Sequence, residues 1–254
     1  MSADFSKRIE LFTVLALKEI DRFKVILLLN PKLIDSRNPL DRSNETAMHV
    51  AVRLRCIDAL LFLIQRESTA MWIKDAQGFT PLHIAAMRGY LDCFNILVER
   101  SSAELSAKCR EGQTPLIKAV LCNRMDIFDR IINIRDTDIN INTTDIRGNT
   151  ALSYAIRHKR KYMYNIMISF KDISINHINN EGQSMLHIAA KAGDFDVVCF
   201  LLENANRDLA FVELRDNTNS TALDYAHKGT HEEHPICERK LVEQYGEFFR
   251  SIFS

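Results

Sequence analysis

The chain lacks the long apolar segments that a membrane protein needs. No run among its 254 residues approaches the roughly 18 consecutive apolar residues that a bilayer-spanning helix requires. The nearest approach to a secretory signal is the stretch from Leu11 to Leu17. It is short, contains Thr13, lacks a small-residue cleavage pattern and runs directly into Lys18 and Glu19. The sequence therefore predicts no membrane span and no export by a cleaved signal.

An excess of charge of either sign is also missing. The 33 lysines and arginines balance the 33 aspartates and glutamates, so the formal net charge is zero and the isoelectric point is about 7.1. Proteins that bind nucleic acids through their phosphates carry a basic patch and a high isoelectric point. We therefore predict no general binding of nucleic acid.

Paired cysteines and catalytic signatures are absent as well. Six cysteines are scattered without the close spacing of a zinc site or a disulfide framework. Reduced thiols of this kind are typical of a cytoplasmic or nuclear protein. The sequence contains no Gly-x-Ser-x-Gly elbow, no phosphate-binding glycine loop and no dinucleotide fingerprint. We predict that the chain is not an enzyme and holds no cofactor.

What the chain does contain is one sequence motif that recurs six times. A threonine or serine, here called the anchor, recurs at intervals of 34, 34, 36, 34 and 37 residues. Leucine or methionine follows at position +2 and alanine at position +5, counted from the anchor. Stacked helical repeats have a fixed period of this length, because each unit packs only on its neighbours. The six anchors are Thr46, Thr80, Thr114, Thr150, Ser184 and Thr221.

The residues around each anchor predict a tight turn that leads into a helix. Glycine or asparagine stands at position −2 in all six repeats. Both residues tolerate positive φ, so we predict a left-handed residue there and expect Gly148→Val to weaken the array. The anchor hydroxyl can accept a hydrogen bond from the free amides that begin the helix. Pro81 and Pro115 follow their anchors, where the missing N–H costs nothing.

A second helix is predicted after the first in each unit. Paired apolar residues stand at positions +17 and +18 in five repeats. A negative charge in the first turn favours the helix dipole, and four repeats carry aspartate at position +12. Each unit therefore consists of two antiparallel helices with one apolar seam, which only stacking can bury. The four aspartates are Asp58, Asp92, Asp126 and Asp196.

The fullest copy of the repeat runs from Asp75 to Val98 and contains Thr80-Pro-Leu-His-Ile-Ala85. It resembles the ankyrin repeat, whose pattern is a turn, then Thr-Pro-Leu-His-x-Ala, then a second helix. The resemblance covers roughly residues 41–230. It implies an all-α fold, an ankyrin-repeat solenoid of stacked helix-turn-helix units with β-turn tips and capping helices at both ends.

Three segments follow from this organisation. We predict a degenerate N-terminal capping repeat over residues 1–40, six ankyrin repeats over 41–230, and a loop with a C-terminal capping helix over 231–254. The last helix could instead dock on a partner or a membrane surface. Its apolar residues at helical spacing are Leu241, Tyr245, Phe248, Phe249 and Ile252.

The resemblance also implies where a partner binds. Ankyrin-like proteins contact their targets through the turn tips and the exposed side of the first helices, which together form a concave face. We predict a centre in the repeats anchored at Thr80, Thr114 and Thr150, where apolar side chains stand beside arginines as in binding hot spots. The predicted partner-binding residues are Arg53, Gln77, Phe79, Met87, Arg88, Arg110, Gln113, Leu121, Ile146, Arg147, Asn149, Arg157, His158 and Lys191.

Position +7 of the first helices is basic in four of the six repeats, at Arg53, Arg157, Lys191 and Lys228. A one-sided basic row on a neutral chain would attract a protein partner with an acidic segment. A row that is basic merely because it is solvated is the alternative. The sequence leaves the two interpretations open, together with the oligomeric state.

Histidines are the remaining candidates for chemistry. His49, His83 and His187 share position +3, and we predict that they hydrogen-bond between the turns of adjacent units. A second group combines zinc-ligand residue types within eleven positions. Gly229 and Pro235 disfavour a continuous helix there, so we predict a polar loop and no metal site. This second group is His227, His231, His234 and Cys237.

Two asparagines, Asn142 and Asn176, each stand eight residues before their anchors. Asparagine closes turns readily, which is one explanation for its presence. The resemblance implies a second, since some ankyrin-like proteins of animal cells are hydroxylated at this position.

Together these features predict a stand-alone ankyrin-repeat adaptor or scaffold, with six repeats and two caps, that binds a protein partner non-covalently in the cytoplasm or nucleus. A substrate adaptor and an inhibitor both fit. A bacterial or viral effector that engages host proteins in the host cytoplasm is the alternative. An enzyme or metal-binding protein would have to use residues 227–240, where the repeat does not dictate the residues.

Overall fold

Pairs of short helices account for most of the chain. The computed structural model describes residues 3–40, 42–66, 71–100, 105–134, 139–204, 212–228 and 235–243. Within these ranges the only β-type pairings are two isolated bridges, Arg37 with Thr46 and Ile178 with Ser184. The chain divides into two compact units, residues 1–140 and 141–254.

Eight α-helices lie in the described part of the 1–140 unit. First helices stack on first helices, α1 on α3, α3 on α5 and α5 on α7, while the second helices α2, α4, α6 and α8 stack in the same order. A short 3-10 helix, Pro31–Leu33, follows α2. The helices are α1 Ala3–Ala16, α2 Ile20–Leu29, α3 Ala47–Arg53, α4 Ile57–Gln65, α5 Pro81–Arg88, α6 Leu91–Arg100, α7 Pro115–Leu121 and α8 Met125–Ile132.

The 141–254 unit repeats this arrangement. The first helices stack, α9 on α11 and α11 on α13, and each of α9 and α11 also packs on the second helix that follows it. Residues 235–243 are helical as well. These two sets of stacks confirm the predicted all-α fold class of helix-turn-helix repeats. The helices are α9 Ala151–Arg157, α10 Lys161–Ile168, α11 Met185–Ala192, α12 Phe195–Asn204 and α13 Ala222–Lys228.

Each first helix begins where its anchor predicts. The hydroxyl oxygens of Thr114, Thr150 and Ser184 accept hydrogen bonds from the backbone N–H three residues later. Pro81 and Pro115 occupy the first helical position, as expected for a residue without an N–H. The aspartates predicted for the second helices lie in the first turns of α4, α6, α8 and α12.

Position −2 is left-handed throughout, as predicted. The φ values there are 80° at Gly78 and 75° at Gly148, and asparagine takes the same conformation at 62° in Asn44. The structure reveals a second left-handed position that the sequence did not predict. It lies at +9, after the first helix of the five repeats in which this position is described, and its occupants are Arg55, Gly89, Asn123, Lys159 and Gly193.

The core consists of the alanines at +5 and the apolar residues of the second helices. All six of these alanines are at most 1% exposed, and Leu63, Leu97, Ile131, Met167 and Leu201 at position +17 are buried beside them. Small side chains at +5 let the first helices of neighbouring repeats approach closely. The repeats therefore share one continuous apolar seam within each unit.

Ala189→Leu is expected to destabilise the 141–254 unit by about 1–3 kcal/mol, because three extra carbons must enter a fully packed site. Urea denaturation followed by circular dichroism measures this change. Lys191→Leu introduces the same side chain at an exposed position of the same helix and should shift the midpoint far less. Equal midpoints for the two variants would contradict the packing role of position +5.

The two ends of the array are described to different extents. Helices α1 and α2 pack on α3 and α4 as later pairs pack on each other, and the capping role of residues 1–40 stays a prediction. At the other end Leu241 is buried, whereas Tyr245, Phe248, Phe249 and Ile252 lie outside the described residues. None of the helices in the described ranges combines the length and apolarity needed to cross a bilayer.

Candidate protein-binding face

The turns of neighbouring repeats are joined by backbone hydrogen bonds. At four junctions the N–H at position −4 donates to the carbonyl at position −3 of the preceding repeat. In the 1–140 unit Ala76 donates to Ser43 at 2.7 Å and Arg110 to Gln77 at 3.0 Å. In the 141–254 unit Asn180 donates to Arg147 at 3.0 Å and Asn217 to Glu181 at 2.9 Å. These bonds fix the turn backbone, and in the 141–254 unit the amides of Asn180 and Asn217 add side-chain hydrogen bonds to the carbonyls of Ile146 and Asn180.

An acidic or amide side chain at position −5 shapes most of these turns. The Oδ1 atom of Asp75 accepts the N–H groups of Gln77 and Phe79, each at 2.8 Å. Asp145, Asn179 and Asp216 accept the corresponding N–H groups in their own turns. This Asx turn was not predicted, although the recurring Asp or Asn at −5 is visible in the sequence.

Positions −4 and −3 supply the exposed turn residues. Ile146 is 63% exposed, and Gln77, Arg110 and Arg147 are also exposed. In the 141–254 unit Asn180 and Glu181 continue the pattern. In each of the two units, we call the surface formed by positions −4, −3, +7 and +8 of its repeats the turn face.

Position −1 does not belong to this surface, contrary to the prediction from the sequence. The predicted binding residues Gln113 and Asn149 are 6% and 0% exposed, and Glu45 and Gln183 are equally buried. The left-handed residue at −2 turns the chain back towards the first helix, so the next side chain enters the interior. There the Asn149 amide oxygen accepts a hydrogen bond from Asn179 Nδ2 at 3.0 Å.

Phe79, also at position −1, is half-buried and already engaged. Lys118 Nζ lies 4.7 Å from the centroid of its ring, and the His83 ring lies 5.9 Å away. Lys118 also reaches Glu111 at 3.4 Å. Phe79 therefore supports a neighbouring cation within the 1–140 unit, whereas the sequence predicted an exposed hot-spot anchor.

The basic row at position +7 is partly neutralised. Arg53 pairs with the buried carboxylate of Glu45 at 3.0 Å, so its charge is compensated within its own repeat. Arg157 and Lys191 lie over the rings of Tyr154 and Tyr225, at 5.8 and 5.1 Å from the ring centroids. Of the remaining predicted residues, Met87 and Leu121 are half-buried, whereas Arg88, His158 and Lys191 are exposed.

The histidines at position +3 connect adjacent turns, as predicted. Their Nε2 atoms meet the backbone oxygen at position −1 of the next repeat, at 3.0 Å for His49 and His83 and 3.2 Å for His187. Their Nδ1 atoms accept the backbone N–H of their own anchors at 3.2 Å. Nδ1 is therefore unprotonated and Nε2 carries the hydrogen. With both ring nitrogens occupied, none of the three is placed to act as a catalytic base.

Burial is the largest influence on these rings. It lowers the pKa of His83 to about 4 and lowers the pKa values of His49 and His187 in the same direction. Each is neutral at pH 7, which matches the donor and acceptor pattern. Two repeats without histidine at +3 use a different contact, in which a tyrosine at +4 donates to the aspartate at −5: Tyr154 to Asp145 and Tyr225 to Asp216, each at 2.6 Å.

The candidate zinc ligands do not share one environment. Cys237 is fully buried, whereas the His227 side chain is 74% exposed and its Nδ1 lies 3.0 Å from Glu238 Oε1. His231 and His234 lie outside the described residues. In the part of the chain that the structure describes, no group of three or more histidine, cysteine or acidic residues is arranged to hold a metal ion.

Of the two asparagines at position −8, Asn142 forms hydrogen bonds through both the nitrogen and the oxygen of its side-chain amide. Its Nδ2 donates to Asp172 O at 2.7 Å, and its Oδ1 accepts from Ser174 N at 2.9 Å. It thereby links the start of one repeat to the start of the next. Asn176 is exposed.

Comparison with known proteins agrees with this architecture. A family model described as "Ankyrin repeats (3 copies)" matches residues 67–145, 126–211 and 167–238. Over 85 residues the chain is 32% identical to the ankyrin repeat protein L371 of Acanthamoeba polyphaga mimivirus and 28% identical to alpha-latroinsectotoxin-Lt1a of Latrodectus tredecimguttatus.

These two alignments are partial. Each covers 34% of this chain, but they cover 10% of the viral protein and 6% of the toxin. The relatives therefore share a stretch of repeats with this chain and extend far beyond it. The family match is broader, since its three segments together span more than half of the 254 residues. The chain belongs to the ankyrin repeat family.

Proposed function

We propose that this chain is a non-catalytic adaptor or scaffold that binds a protein partner on its turn face. Ankyrin repeats generally mediate protein–protein interaction. The observation that carries the proposal is the construction of the turns. Backbone hydrogen bonds between adjacent turns hold the scaffold, so exposed side chains such as those of Gln77, Arg110 and Ile146 can contact a partner without loss of the fold. A preorganised turn backbone loses little entropy on binding.

The residues that support this proposal best lie on the turn face and are exposed or half-exposed. Ile146 offers an apolar contact in the 141–254 unit, with Arg147 beside it and Arg157 on the first helix that follows. In the 1–140 unit Gln77, Arg110 and Arg88 take turn-face positions −3, −4 and +8. Apolar and arginine side chains in such proximity are typical of binding hot spots.

We expect no catalytic step in this function, because the family is generally non-catalytic and the +3 histidines are engaged on both ring nitrogens. A cytoplasmic or nuclear location is part of the proposal. All six cysteines lie in the described residues as reduced thiols, four of them buried, as expected for a protein from a reducing compartment.

The effector function remains the alternative. An effector would also bind a protein partner on the turn face, but that partner would be a protein of the host. A viral protein is among the relatives, but the alignment with it is confined to 34% of this chain. Capture of a partner encoded by a different genome from that of the chain would favour the effector.

Quantitative affinity purification tests the proposal. The bait carries Arg88→Glu, Arg110→Glu and Arg157→Glu, three exposed or half-exposed turn-face positions that leave the buried −1 residues intact. We expect recovery of the true partner to fall about tenfold or more, since reversal of a charge at an interface costs at least ~1.4 kcal/mol.

The matched control reverses three exposed charges outside the turn face: Lys32→Glu, Arg100→Glu and Lys171→Glu. It changes the net charge by the same amount and should retain the partner. Circular dichroism of both variants must show unchanged helix content. If both lose the same proteins, or neither loses any, binding through the turn face is wrong.

A further inference from the structure

A cavity of about 390 Å³ opens between the first helices of two adjacent repeats in the 141–254 unit. One wall comes from the end of α9, at positions +7 to +9 of the repeat anchored at Thr150. The other comes from the turn and first helix of the repeat anchored at Ser184. The residues that line it are Arg157, His158, Lys159, Glu181, Gln183, Ile188, Lys191 and Ala192.

Three cations line the cavity, Arg157 and Lys159 on one wall and Lys191 on the other, and each contacts an uncharged group. Lys159 Nζ donates to the carbonyl of Gly193 at 2.9 Å. Arg157 lies over the ring of Tyr154 and Lys191 over the ring of Tyr225. The contacts of Arg157 and Lys159 position these two cations without cancelling their charge. A carboxylate that enters the cavity would therefore meet prepared partners, with the planar guanidinium of Arg157 suited to a bidentate contact.

The other lining residues restrict the kind of anion that fits. Glu181 adds a carboxylate to the wall, so a compact polyanion such as phosphate would be repelled on one side. A ligand that carries N–H groups beside its carboxylate would satisfy both signs of charge. His158 contributes a neutral ring, since burial, followed by Arg160 and Arg157, lowers its pKa. Ile188 and Ala192 are buried apolar residues that can contact methylene groups.

We propose that this cavity binds an acidic side chain of the partner, with its carboxylate on Arg157 and Lys159 and its backbone N–H on Glu181. The proposal rests on the function argued above, in which the partner is a protein. It adds a defined subsite and a residue class, aspartate or glutamate, that the bound segment must contain. A volume near 390 Å³ accommodates one such side chain with its backbone.

A fragment titration tests the subsite without knowledge of the partner. N-acetyl-glutamate N-methylamide is added to the full, isotope-labelled chain, and the backbone amide signals are followed by NMR. We expect saturable shifts centred on residues 157–159 and 188–192, with a dissociation constant on the order of 1–10 mM for so small a ligand. The glutamine analogue and inorganic phosphate should each bind about tenfold more weakly.

Variants locate the contact. Arg157→Gln should weaken binding of the glutamate probe about tenfold, whereas Lys171→Gln removes an exposed cation elsewhere in the same unit and should leave the affinity unchanged. The spectrum of each variant without ligand reports whether it is folded. Shifts that do not saturate, or that persist in Arg157→Gln, would overturn the subsite. Equal binding of phosphate would overturn its preference for a peptide carboxylate.

This titration and the affinity purification can fail independently. If the glutamate probe binds as expected but no partner depends on the turn face, the subsite stands and the adaptor function falls. If a partner depends on the turn face but the probe does not bind, the adaptor function stands without an acidic subsite.

Discussion

Gly148→Val is expected to lower the free energy of unfolding of the 141–254 unit by about 3 kcal/mol. This figure adds the cost of a β-branched residue in the left-handed conformation to the cost of overpacking. Gly148 has φ of 75°, and a β-carbon there would lie 2.9 Å from the backbone nitrogen of Asn180 and 3.1 Å from Asn179 Cα. These atoms belong to the next turn. The valine must therefore push apart two turns that share the hydrogen bond from Asn180 N to Arg147 O.

Urea denaturation of the purified chain measures this loss, with circular dichroism as the signal. Alanine at Gly78 and at Gly89 provides a matched pair in the 1–140 unit, because φ is positive at both, 80° and 74°. A β-carbon at Gly78 would lie 2.6 Å from the backbone nitrogen of Arg110, whereas one at Gly89 would meet only the flexible side chain of Arg124 at 2.9 Å. Gly78→Ala should be the more destabilising. An unchanged midpoint for Gly148→Val would contradict the role of position −2.

The sequence was sufficient to predict features that each repeat determines locally. Glycine or asparagine at −2, a hydroxyl anchor and alanine at +5 recur because turn geometry, helix capping and close packing each allow few residue types. The histidines at +3 belong with them, since a ring of fixed size at a fixed position reaches the next turn. Repetition made these constraints visible without any structure.

The left-handed residues at +9 could not be read in the same way. Glycine stands there only twice, at Gly89 and Gly193, while Arg55 and Lys159 take the same conformation. Arginine and lysine give no sign of positive φ in a sequence. The packing of two antiparallel helices imposes the turn on whatever residue occupies the position.

The side-chain directions within the turns were equally hidden. The sequence indicated that −4, −3 and −1 lie at the turn, but the burial of Gln113 and Asn149 depends on the chain reversal at −2. The cavity beside Arg157 was hidden for another reason. Its two walls come from segments 22 or more residues apart, around Lys159 and Glu181, and only the stacking of repeats brings them together.

Acidification from pH 7 to pH 5 is expected to destabilise the 1–140 unit by about 2 kcal/mol through His83 alone. The pKa of the buried ring is about 4, whereas a histidine in the unfolded chain has a pKa of about 6.5. Between these values the unfolded state binds a proton that the native state does not. Stability therefore falls as the pH drops from 6.5 towards 4 and is fully present above 6.5. His49 adds a loss in the same direction.

The structure explains why the native ring resists protonation. Nδ1 of His83 already accepts the N–H of Thr80, so a proton there would face another donor inside a fully buried site. Carboxylates contribute to the loss of stability only at lower pH. Burial raises the pKa of Asp216, but hydrogen bonds from Tyr225 and Thr218 outweigh it and lower the pKa below its ordinary value. That contribution is lost only as the pH falls below about 4.

His83→Gln separates this effect from general instability. The variant should be less stable than the wild type at pH 7, because glutamine cannot reproduce both ring contacts, yet lose about 2 kcal/mol less between pH 7 and pH 5. Ala86→Gly is the matched control, since it weakens the same helix by about 1 kcal/mol without removing a titrating group. Its urea midpoint should retain the pH dependence of the wild type. A pH dependence in His83→Gln as steep as that of Ala86→Gly would show that protonation of His83 does not govern acid unfolding.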